Sequence, residues 1–160
     1  MDKKQILVLG VGNVLMSDEG AGVYAIRKLG EMYRFSDNVT LLDGGTLGIK
    51  LLHSISSADH LIVADTAIRG LTPGTVSRLT INDIRLGTSP KNSMHQLSFA
   101  ETLAMAEMME ILPETVIISI EPADIETMNT CCTKEIWAEI DAMCSFILDE
   151  VTAAGGRYWK

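Results

Sequence analysis

Short unbroken apolar runs alternate along the chain with longer stretches in which apolar residues recur every three or four positions. The first pattern marks a strand buried on both faces, the second an amphipathic helix. Ile6–Leu9, Val39–Leu42, His60–Ala64 and Val116–Ile120 predict strands. Gly22–Tyr33 predicts a helix with Val23, Ile26 and Leu29 on one face, and Thr46–Ile55 a short helix with Leu47, Leu51 and Ile55 about one turn apart. Leu97–Leu112 reads as a helix stopped by Pro113. Thr133–Val151 reads as the last helix, with Ile136, Ile140, Met143, Ile147 and Val151 in one stripe and Gly155-Gly156 ending it. Thr75–Ile81 alternates polar and apolar residues and carries Arg78, so it is expected at a sheet edge. Gly87–Met94 reads as a loop, and Gly156–Lys160 as a loose tail.

Strands alternating with helices imply the α/β class: a three-layer αβα domain on a mainly parallel five-stranded sheet with one antiparallel edge strand. At 160 residues and 47% apolar, the chain suffices for one domain spanning residues 1–160. No repeat or linker interrupts the pattern.

Charge and cysteine usage narrow the function. With 13 basic and 21 acidic residues the net charge is −8, and no basic cluster exists to displace counterions from nucleic acid or to meet anionic lipid. No apolar run approaches the ~20 residues of a membrane span. The start, MDKKQILVLG, has too short an apolar stretch for a secretory signal, so a cytoplasmic protein is expected. Of three cysteines, Cys144 falls on an apolar helix face, and the adjacent Cys131 and Cys132 lack the C-x-x-C spacing of a zinc site.

In sheets of this kind ligands bind beyond the carboxyl ends of the strands. Acids gather there: Asp18 and Glu19 in the glycine-rich loop GVGNVLMSDEG (10–20), then Asp43, Asp65 and Glu121, each closing a strand. His95, in a loop before a helix, reaches the same rim, whereas His53 lies within a helix and His60 begins a strand at the opposite end. A dinucleotide fingerprint would need a third glycine where Leu15 stands, and Asp18 and Glu19 would repel pyrophosphate; Asp43, placed like a ribose-binding acid, is its one support. A phosphoacceptor receiver could use Asp65, but it needs an acid pair where Gly10-Val11-Gly12-Asn13 stands and a lysine where Glu121-Pro122 stands. Two carboxylates and an imidazole, from Glu19, Asp65 and His95, suit a divalent first-row metal with positions left open for water or substrate. The same residues have ordinary uses too: Glu19 at a helix N-terminus, Asp65 capping the turn through Thr66, His95 at a helix start.

Residues 10–22, GVGNVLMSDEGAG, resemble the opening signature of the hydrogenase maturation endopeptidases. The resemblance continues in order through LDGGT (42–46), VAD (63–65), MHQL (94–97) and IEP (120–122), and covers residues 6 to about 150. It implies an endopeptidase that removes the C-terminal extension from the large-subunit precursor of a NiFe hydrogenase. Carried over by position, Glu19, Asp65 and His95 match the family's metal-contact positions and are the expected catalytic set. Gly10, Gly12 and Asn13 match the signature turn, and Asp43 matches a family acid without an assigned role. Asp18 is expected to cap the helix or hold the loop.

The resemblance also implies that nickel arrives already bound to substrate cysteines, that the peptidase keeps no permanent cofactor, and that cleavage falls on the C-terminal side of a His or Arg in the substrate's last cysteine motif. An alternative from another class uses the same three residues without cleavage: a nickel-sensing chaperone or checkpoint for the large subunit. A general metallopeptidase fits less well, because the chain lacks an H-E-x-x-H helix.

Overall fold

The first strand, β1 (Ile6–Val11), is buried along its whole length because it lies at the middle of the molecule. In the computed structural model, which describes residues 2–87 and 94–160 and the side chains of 2–84 and 99–160, it pairs in parallel with β3 (Val39–Gly45) on one side and β4 (His60–Thr66) on the other. β4 pairs in parallel with β6 (Glu114–Ile120), and β5 (Val76–Thr80) lies antiparallel along the outer side of β6. The order is β3-β1-β4-β6-β5, the expected mainly parallel five-stranded sheet with its charged strand at an antiparallel edge.

Alternation along the strands divides the core in two. Ile6, Val8, Ile62 and Ile118 face α1 (Ala21–Met32) and α6 (Ile140–Ala153). Leu7, Leu9, Leu61 and Ile117 face α2 (Leu52–Ser56) and α4 (Met94–Met108). Both layers are apolar. The polar groups that matter therefore collect where β1, β3, β4 and β6 end together, on one rim of the sheet. Among the described residues no helix is long and apolar enough to cross a membrane.

The helical boundaries differ from the expectations at identifiable points. β5 ends at Thr80 because Thr80 and Asp83 form a reciprocal cap, with the Thr80 amide on Asp83 at 2.8 Å and the Asp83 amide on the Thr80 hydroxyl at 3.4 Å. That box launches an unexpected helix, α3 (Ile81–Gly87). α4 ends at Met108, ahead of Pro113, in a Schellman arrangement. Glu110 is left-handed at φ 58°, its amide reaches the Glu107 carbonyl, and the Ile111 amide reaches Ala106. The single last helix is two, α5 (Lys134–Trp137) and α6. Leu47, expected on a buried stripe, is 50% exposed, while Leu51 and Ile55 are buried as expected.

The tail is tied down. Tyr158–Trp159 (β7) pairs antiparallel with Arg34–Phe35 (β2), Tyr158 meets the Tyr33 ring edge-on at 5.4 Å, and Ser36 exchanges hydrogen bonds with Arg157. Aromatic packing and ladder bonds offset the entropy that would leave such a tail loose.

Candidate functional site

The loop after β1 is shaped by what glycine lacks. A Cβ at Gly12, whose φ is +143°, would stand 1.9 Å from the Glu19 carbonyl oxygen. A Cβ at Gly22 would stand 2.1 Å from the Ala64 carbonyl oxygen. The first glycine lets the loop fold back on the 3-10 turn Ser17–Gly20; the second seats the start of α1 directly on the end of β4. Glu19 rides on that turn, which packs against β4, and Asp65 is the residue after Ala64. The turn that carries Glu19 thus lies against the strand end that carries Asp65.

Asp65 is buried, and its Oδ1 accepts the Thr66 amide at 2.7 Å within the end of β4. Beside it lies a small cavity of about 30 Å³, bordered by Thr66, Leu79, Phe99, Leu103 and Ile117. Glu19 is half-buried. His95 belongs to the first turn of α4, one turn ahead of Phe99, so its backbone begins the element that borders the Asp65 cavity. The side chain of His95 lies outside the described residues. Among the described residues no three His, Cys, Asp or Glu side chains cluster to hold a metal.

Asp18 is a buried brace. It is fully buried, and Oδ2 accepts the amides of Ala123 at 2.9 Å and Asp124 at 2.8 Å. Its Oδ1 accepts the Thr133 amide at 2.6 Å, and the Thr133 hydroxyl lies 3.0 Å from both oxygens. Of its two expected roles it holds the loop; no side-chain cap bond forms at either helix start. Ser17 sets the turn that aims it inward. Its φ is +52°, unusual for a residue with a side chain, and the conformation is secured by its amide on Asn129 at 3.0 Å and its hydroxyl on the Thr127 carbonyl at 2.7 Å.

The other rim acids are also braces. Glu121 is buried and accepts the amides of Arg69, Gly70 and Leu71 at 2.8, 3.0 and 3.3 Å, so it orders the loop after β4. Asp43 accepts Arg27 Nε and Nη2 at 3.1 and 3.0 Å in an exposed pair. Of the acids gathered on the rim, backbone donors thus claim Asp18 and Glu121. Nothing local in the sequence marks these donors, which lie on distant loops. His60 pairs with Glu114 at 3.4 Å at the far end of the sheet, as its strand position predicted.

Local electrostatics follow from the same loops. The Thr127 hydroxyl, with the amides of Thr127 and Glu126, holds the Asp124 carboxyl below its ordinary range. Burial pushes the Cys132 thiol up to about 12, with the Asp18 carboxylate and Cys131 adding to the effect. The vicinal cysteines are thus unlike: Cys131 is exposed, and Cys132 is a protonated thiol directed at the Ser17 carbonyl at 3.9 Å.

Residues 23–150 match the family model HycI, hydrogenase maturation protease. A HupD protein of Rhizobium leguminosarum bv. viciae, described as a hydrogenase expression/formation protein, is 43% identical over 86% of this chain and 69% of its own length. The hydrogenase 2 maturation protease of Escherichia coli K12 is 34% identical over 94% of this chain and 90% of its own. The solved structure of the E. coli hydrogenase maturating endopeptidase HybD superposes with a TM-score of 0.88 at 32% identity, covering 96% of each chain.

Proposed function

The chain belongs to the hydrogenase maturation protease family, and from that premise we propose that Glu19, Asp65 and His95 together meet the nickel already seated in a NiFe hydrogenase large-subunit precursor and direct hydrolysis of its C-terminal extension. The nickel is part of the substrate in this reading, held by substrate cysteines. The observation that carries it is the Gly22–Ala64 approach, which sets the Glu19 turn against the strand end bearing Asp65. Two carboxylates on backbone segments that pack together, beside the start of the helix to which His95 belongs, make a donor set suited to a divalent cation.

The chain's own residues then have distinct tasks. The carboxylates draw the cation onto the rim and fix the distance between the metal and the scissile peptide, which converts recognition into orientation. A carboxylate within reach of water takes its proton as the water attacks the peptide carbonyl, and the amine leaves with a proton returned to it. The loop's glycines serve internal close approaches, Gly12 to the Glu19 carbonyl and Gly22 to the Ala64 carbonyl, which hold the Glu19 turn in place for that task.

Mass spectrometry of the precursor, mixed with this protein with and without nickel loaded, tests the reading. Loss of a short C-terminal peptide from the loaded precursor alone is expected. Binding of the loaded precursor without cleavage would make the protein a checkpoint instead. His95→Ala and Asp65→Asn should fold normally and process nothing, while His60→Ala should process as the parent does.

A further inference from the structure

Large apolar side chains stand exposed around the acid pair. Leu15 follows β1, Leu47 and Ile49 follow β3, Ile68 and Leu71 follow β4, and Met128 follows β6, all between 37% and 80% exposed. Leu15 and Met128 stand side by side, because Met16 and Asn129 form a parallel bridge and the Asn129 amide reaches the Leu15 carbonyl. We propose that these residues form a docking collar for the folded body of the large-subunit precursor, distinct from the contacts made to the cleaved segment. The proposal rests on the reading that the precursor is the substrate of this rim.

Three observations support a folded partner. First, the collar is wide. From the loop after β3 to the loop after β6 is three strand spacings, about 14 Å, whereas one extended segment needs about 5 Å. Second, its loops are held in place before any partner arrives. Asp18 fastens residues 123–133 to the turn after β1, Glu121 fastens residues 69–71, and the Gly12 amide reaches the Gly45 carbonyl to join the loops after β1 and β3. Apolar side chains on preordered backbone lose little entropy on binding. Third, the centre is anionic. A second copy of this chain docking on the same face would set Glu19 and Asp65 against their own counterparts, and an anionic membrane would meet the same acids in a chain of net charge −8. A protein with an apolar surface around a cationic centre complements both features.

The test measures binding and processing of the nickel-loaded large-subunit precursor by two double variants, Leu47→Ser with Ile49→Ser and Leu15→Ser with Met128→Ser. Met108→Ser serves as control, since Met108 is 85% exposed outside the rim loops, at the end of α4. Each rim variant should weaken binding and raise KM about tenfold or more, with kcat at saturation within about twofold and the melting temperature unchanged. The control should match the parent. Binding is also read in a Glu19→Gln background, which keeps the precursor intact during the measurement; a parent protein that binds the loaded precursor but never cleaves it would refute the proposed reaction, while the rim variants' binding still reports on the collar. Rim variants that bind like the parent would overturn the collar, as would loss of kcat alone. A concentration-dependent dimer in sedimentation, abolished by the rim variants, would also overturn it by assigning the face to a second copy.

Discussion

Asp18 and Glu19 are neighbours in the chain, and the fold buries them to different degrees. Asp18 points inward, is fully buried, and has both oxygens taken by amides and a hydroxyl from residues 123–133. Glu19 stays half-buried on the rim, on the side of Asp65. The left-handed Ser17 begins the turn that carries both. The pair teaches that a carboxylate at a ligand-binding edge is not by that fact a ligand. A buried acid with several backbone donors is a structural brace, because each donor would cost free energy if left unpaired. Asp43, in an exposed pair with Arg27, is a third case, in which solvent screens most of the interaction.

Breaking the brace should have the largest effect. Asp18→Ala leaves the amides of Ala123, Asp124 and Thr133 without their acceptor and should cost about 3 kcal/mol or more in urea unfolding, at about 1–3 kcal/mol for each buried donor left unpaired. A cost under about 1 kcal/mol would mean that water or a neighbouring group replaces Asp18. Glu19→Gln should do the reverse. It should keep the parent's unfolding midpoint and lower precursor processing about 100-fold or more. Processing at the parent's rate would remove Glu19 from the proposed donor set.

Glu121→Ala, the second brace, should destabilise by about 2 kcal/mol, since it strips the acceptor from three loop amides. Hydrogen exchange at Arg69, Gly70 and Leu71 should rise with it; unchanged protection there would show that another acceptor holds the loop.

An alkaline titration sharpens the contrast without a mutation. Folding raises the Cys132 thiol to about 12 and the Cys144 thiol to about 11, both chiefly through burial, from an ordinary value of 9.0. The unfolded chain therefore releases these protons first. Stability should be complete below about pH 9 and should decline as pH rises towards 11 and 12. Melting temperatures measured across that window should fall, and Cys132→Ser should flatten the slope; an unchanged slope would mean that Cys132 is not shielded as described. The smallest effect belongs to Arg27→Ala, at under about 1 kcal/mol, because both partners of its pair are substantially exposed. A larger loss would place Arg27 among the braces.

Periodicity along the chain was enough to read the alternating strands and helices, the charged edge strand and the rim on which the acids lie. The strand runs carry their own two-face burial, and the G-x-G turn its own need for close approach. The ordered motifs carried the family. The division of labour among the rim acids was not readable, because the partners of Asp18 lie on a loop more than a hundred residues downstream. The exposure of Leu47 and the pairing of Tyr158–Trp159 with Arg34–Phe35 were hidden for the same reason. The Thr80–Asp83 box that starts α3 was local and could have been read. Hydrophobic period and turn chemistry depend on neighbours within a few residues, so they are written in the sequence. Which buried carboxylate receives which amide depends on where distant segments come to rest, and that follows only when the sheet has brought its loops together.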